Sequence, residues 1–147
     1  IRQSNLYGPH DKYDSDKSHF FGATISKVID TNEGGKIIVW GNGSEERDLL
    51  YVDDLVDFIM IALKNQKSKF ELVNCSYGKS YSISEIVKKI IHYSGKKISI
   101  EYDKTKPSIK SKMPISNTKA LQIFDWKPKT SINDGIKKTL NWYKSNL

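Results

Sequence analysis

At 147 residues the chain is long enough to bury a core, and with 37% hydrophobic and 28% charged residues it reads as one globular domain spanning 1–147. No apolar run reaches the roughly 18–20 residues a membrane helix needs. The net charge of +7 comes from scattered lysines mixed with acids rather than an aromatic-interleaved basic stripe, so neither a membrane span nor a nucleic-acid surface is expected. One cysteine, Cys75, excludes an internal disulfide and fits a reducing, cytoplasmic setting.

The chain opens inside a strand-like run, IRQSNLYGPH, as a fragment of a longer protein would, and Gly8-Pro9 sets the exit into a polar loop over 11–18. From 19 to 29 the apolar spacing turns helical, with Ser18 as the expected N-cap. The central stretch, 36–63, then reads KIIVWGNGSEERDLLYVDDLVDFIMIAL. Its first five residues have strand composition, and Gly41-Asn42-Gly43 is a turn of residues that accept positive φ. A second strand is expected over 48–52. Asp53-Asp54 then opens a helix whose Leu55, Val56, Ile59, Met60, Ala62 and Leu63 fill most of a cylinder, which predicts a largely buried element.

A strand over 70–75 places Cys75 as a small buried hydrophobe. Ser82 and Glu85 open a helix that Gly95 stops. A strand over 98–102, a surface loop over 103–113 and a short helix over 117–123 follow. The last helix begins at Ser131 and packs Ile136, Leu140 and Tyr143 inward. Strands alternating with helices make the chain α/β with partly parallel strands.

Two features of the central stretch point to a ligand. The chain has two arginines against twenty-two lysines, so Arg47 stands where planar, two-pronged hydrogen bonding matters. Trp40, seven residues upstream, adds a flat aromatic face. A guanidinium and a ring suit a phosphate and a base. There is no dinucleotide glycine fingerprint, Ser-His-Asp order, metal-ligand spacing or phosphate loop. No metal site is expected.

Asn5-Leu6-Tyr7-Gly8-Pro9, Trp40-Gly-Asn-Gly, Arg47-Asp48 and Tyr51-Val52-Asp53-Asp54 together resemble the carboxy-terminal half of the extended short-chain dehydrogenase/reductases, the NAD-dependent epimerase/dehydratase family. His10-Asp11 and Ser18-His19 bring it closest to the GDP-L-fucose synthase type, which epimerises and reduces GDP-4-keto-6-deoxy-mannose with NADPH. The resemblance runs nearly to the chain's end, through Asp125-Trp126-Lys127-Pro128. It implies a substrate-binding part whose amino-terminal Rossmann half is absent, residues 1–10 being the last part of that sheet. The glycine loop and catalytic Tyr-x-x-x-Lys would lie in the absent half, so this chain alone is expected to be inactive.

Residue by residue, the resemblance sets Gln3, Ser4, Asn5 and Leu6 beside the nicotinamide cofactor, with Asn5 also reaching the sugar. It makes His19 a cofactor contact and the acid/base of epimerisation, since imidazole can both give and take a proton near neutral pH. Lys27, Trp40, Arg47 and Ser108 would bind the substrate. Lys27 stands where arginine is usual, and Ser108 where an acid often meets the base, a departure that touches guanine specificity. A homodimer is implied for the full-length enzyme. Other members of the superfamily acting on UDP-, dTDP- or CDP-sugars, or a non-catalytic nucleotide-sugar-binding module, fit the same residues.

Overall fold

The computed structural model describes residues 1–14, 18–106 and 114–147. The elements are β1 (Arg2–Gln3), β2 (Asn5–Tyr7), α1 (Phe20–Asp30), β3 (Lys36–Trp40), β4 (Glu46–Tyr51) and α2 (Val52–Asn65) in the first part. They continue with β5 (Asn74–Cys75), β6 (Ser80–Ser82), α3 (Ile83–Ser94), β7 (Ser99–Asp103), α4 (Thr118–Phe124) and α5 (Ile132–Ser145). Among the described residues the strands form three sheets, β1-β5, β2-β4-β6 and β3-β7. All pairings are parallel except β4 with β6. The expected α/β class with partly parallel strands is what the chain forms.

β4 divides the interior in two, because neighbouring strand residues point to opposite faces. Leu49 and Tyr51 face a core built from Ile25, Ile86, Ile90, Ile136 and Leu140, on the three helices α1, α3 and α5. Leu50 faces a second core of Phe58, Cys75, Phe124 and Trp126. There the Phe58 ring meets Trp126 edge-on at 5.0 Å and Phe124 at 5.6 Å. Gly135 is required by the first core: a Cβ there would lie 2.0 Å from the Tyr7 hydroxyl oxygen, so α5 reaches β2 only because the position is bare.

α3 begins as its sequence predicts. The Ser82 hydroxyl accepts the Glu85 amide at 3.1 Å while the Glu85 carboxylate accepts the Ser82 amide at 2.8 Å, and Gly95 closes the helix at φ 79°. These bonds to the ionised form hold the Glu85 carboxyl below its ordinary value. Ser131 caps α5 by accepting the Asp134 amide.

Several expectations need correction. α2 is not largely buried: Val56, Met60 and Leu63 are 53%, 62% and 76% exposed, and only Asp54, Phe58 and Ala62 are buried. Its apolar cylinder is wider than the one face that the second core covers. Asp54 also does more than favour its helix dipole. It is buried and accepts the amides of Lys129 and Thr130 at 3.1 Å each, tying the approach to α5 onto α2. The strand over 70–75 shrinks to Asn74–Cys75, since only that length finds β1 as a partner, and Phe70 is exposed. β4 starts at Glu46 rather than 48 because Glu46, Arg47 and Asp48 pair with β6. α1 is preceded by His19 at the N-cap position rather than Ser18, with no side-chain cap bond.

Candidate functional site

α1 presents Phe20, Ala23, Thr24 and Lys27 along one stripe, the i, i+3, i+4, i+7 spacing of a helix face. Facing it is β3, and between them lies a cavity of about 340 Å³. Lys27 on α1, Trp40 at the end of β3 and Arg47 on β4 all line it. Three residues on three consecutive elements thus line one space. Lys27 rises from the last turn of α1 and is exposed.

The turn after β3 sets the last two. Gly41 and Gly43 both take φ 74°, and a Cβ on Gly43 would stand 2.6 Å from the Tyr102 ring. Its carbonyl accepts the Ser84 amide at 2.9 Å, and the Tyr102 and Ser84 hydroxyls are bonded at 2.7 Å. The Asn42 side-chain oxygen accepts the Ser44 amide at 3.0 Å, folding the turn locally. So a compact, anchored turn carries the chain from Trp40 back to Arg47.

Trp40 is 62% exposed, so its ring face is open to solvent rather than packed in a core. The Lys106 ammonium lies 5.6 Å from the centre of its ring. Arg47 is partly buried. Its Nη2 pairs with Glu45 Oε2 at 2.8 Å and its Nη1 donates to the Glu46 carbonyl at 3.0 Å. Glu45 itself lines the cavity.

The other expected site residues stand elsewhere. Asn5 pairs with Leu49 in the β2–β4 ladder, and its side-chain amide donates to the Asp48 carbonyl at 3.0 Å, a bond that braces the two strands. Gln3 lies in β1, exposed; Leu6 packs half-buried against the second core. Ser4 is buried, its amide donating to the Cys75 carbonyl at 3.0 Å, while its hydroxyl lacks a hydrogen-bond partner. None of these four lines the cavity. His19 is exposed at the head of α1, flanked by Ser18 and Phe20, which do line it. Ser108 lies outside the described residues. The His10 ring lies tilted against Trp142 at 4.6 Å, and His92 meets Tyr93 edge-on at 4.9 Å.

Asp48, read only as the start of a strand, is 2% exposed and organises the neighbouring loops. Its carboxylate accepts the amides of Tyr77 at 2.9 Å, Gly78 at 3.0 Å and Ile115 at 3.2 Å. An acid inside an apolar strand was the available signal, since a buried carboxylate must find donors. Cys75 is fully buried, and desolvation with the nearby Asp54 charge pushes its thiol up to about 12, which makes it packing rather than a nucleophile. Burial and Tyr77 likewise push the Tyr81 hydroxyl, opposite Arg47 in β6, up to about 12. Among the described residues no cluster of His, Cys, Asp or Glu could hold a metal ion, and no helix is long and apolar enough to cross a membrane.

Comparison with known proteins gives these residues a family. Residues 1–76 match the NAD dependent epimerase/dehydratase family. GDP-L-colitose synthase of Yersinia pseudotuberculosis is 36% identical over 141 residues, which are 95% of this chain and 46% of that protein. GDP-L-fucose synthase 1 of Arabidopsis thaliana is 34% identical over 149 residues, covering 98% of this chain and 45% of the relative. Among solved structures, a GDP-L-fucose synthetase from Naegleria fowleri bound to NADP superposes with a TM-score of 0.90 over 98% of this chain and 46% of its own, at 24% identity. The chain therefore spans less than half the length of the curated relatives it matches, all along its own length, and it belongs to the NAD dependent epimerase/dehydratase family.

Proposed function

We propose that this chain is the substrate-binding part of an NADPH-dependent nucleotide-sugar epimerase/reductase of the GDP-L-fucose synthase type. The observation that carries the reading is the convergence of Lys27, Trp40 and Arg47 on one cavity. Two cations suit a diphosphate, and an exposed indole suits the face of a base or sugar. The fucose and colitose synthases among the relatives support the same substrate class.

In this reading the nucleoside diphosphate lies between α1 and β3, and the sugar extends toward the head of α1. His19 stands there, exposed and one residue from the cavity lining. It would remove and return protons at the carbons flanking the 4-keto group. NADPH, when bound, supplies the hydride for the ketone. Gln3, Ser4, Asn5 and Leu6 offer it a strand end with one unpartnered hydroxyl on Ser4 rather than a cleft. The cofactor would accordingly be held mainly by a further half, with the full-length enzyme a cytoplasmic homodimer and this chain alone inactive.

The test is hydrogen exchange in the full-length protein. His19→Gln is expected to slow deuterium uptake beside the ketone by about 10²–10⁴-fold, the usual worth of one positioned acid/base, while leaving substrate affinity nearly unchanged. Unchanged exchange would remove His19 from the chemistry. No exchange in the wild-type protein with any 4-keto nucleotide-sugar would contradict the epimerase reading and favour a binding module.

A further inference from the structure

The cavity holds a charge that anion binding does not call for. Its described charged lining residues are Lys27, Arg47 and Glu45, so one of its two cations is already opposed by an acid. Glu45 is no loosely solvated partner. Its side chain is only 15% exposed, its Oε2 sits 2.8 Å from Arg47 Nη2, and its backbone carbonyl accepts the Ile83 amide at 2.8 Å, which fixes it at the start of α3. A carboxylate held there repels every negative charge a ligand brings to Arg47. The repulsion grows with the charge on that ligand.

We propose that Glu45 is a specificity-determining residue that sets the charge this cavity accepts, favouring a diphosphate esterified at both ends over a free nucleoside diphosphate. The inference rests on the nucleotide-sugar reading above. A nucleoside diphosphate with an unesterified end carries about one more negative charge at neutral pH than the same diphosphate joined to a sugar. Glu45 penalises that extra charge, and so rejects the nucleotide that lacks the sugar. By holding Arg47 Nη2 in the absence of ligand, it also makes the diphosphate exchange one carboxylate contact for its own.

The experiment is a calorimetric comparison of wild type and Glu45→Gln in the full-length protein, using GDP-mannose, GDP and guanosine, with UDP-glucose, UDP and uridine in parallel. Glutamine keeps an oxygen for Arg47 and removes only the charge. In the nucleotide series that binds, the variant is expected to bind both diphosphates more tightly. The gain for the free nucleoside diphosphate should exceed that for the nucleotide-sugar by roughly three- to tenfold at low salt, and shrink as salt rises. The neutral nucleoside should be unaffected. An unchanged ratio between nucleotide-sugar and free nucleotide, or weaker binding of both, would overturn the role of Glu45 while leaving the site intact. Failure of wild type and variant alike to bind any of the diphosphates would instead overturn the nucleotide site and this inference with it.

Discussion

Asp48 and Arg47 are neighbours in β4 with opposite fates, set by which way the strand turns them. Arg47 points to the cavity; Asp48 points inward and gathers three backbone amides from two segments, Tyr77–Gly78 and Ile115. Asp48→Asn replaces one acceptor oxygen by a donor among amides that need acceptors. Hydrogen bonds to a charged group contribute about 1.5–3 kcal/mol, so the variant is expected to lose about 3 kcal/mol of unfolding free energy in urea titration. A loss below about 0.5 kcal/mol would show that these loops hold without Asp48. The functional reading of Arg47 came from its rarity in the sequence, and the fold sets that residue on the lining of a cavity. An acid inside an apolar strand signalled that Asp48 needs donors, but which donors was not legible, because they lie 29 to 67 residues away.

At the scale of elements, capping chemistry was the most readable layer. Ser82, Glu85, Gly95 and Ser131 act on residues within one turn, so sequence distance and spatial distance coincide. α2 was misread for the opposite reason. Its apolar residues cover most of its circumference, and sequence cannot say which of them find neighbours. Phe58 is fully buried between Phe124 and Trp126, whereas Met60, two residues on, is 62% exposed. Phe58→Ala is expected to cost about 3–5 kcal/mol, and Met60→Ala less than about 0.5 kcal/mol, read from denaturant midpoints of the 147-residue chain. Similar costs for the two would mean that α2 is covered on both faces in solution. The same limit applies to Asn5, whose type suits a ligand contact equally well and whose amide is spent bracing Asp48.

At the scale of the whole molecule, three consecutive elements, α1, β3 and β4, line one cavity because two cores fix their spacing. The helical core seats α1 against α3 and α5, and β4 carries Arg47 past it from the anchored turn that follows Trp40. That arrangement makes a diphosphate site the central claim, and calorimetric titration of the full-length protein with nucleoside diphosphate tests it most directly. Arg47 can offer a phosphate two parallel donors by yielding its contacts to Glu45 and Glu46, and lysine cannot. Arg47→Lys is therefore expected to weaken binding about tenfold or more, and Arg47→Ala further still, since each charge-assisted hydrogen bond contributes roughly 1.5–3 kcal/mol. An ion pair of the surface kind is worth less than about 1 kcal/mol and would tolerate lysine. Equal affinity for wild type, Arg47→Lys and Arg47→Ala, with the fold intact, would contradict the account and move the substrate away from this cavity.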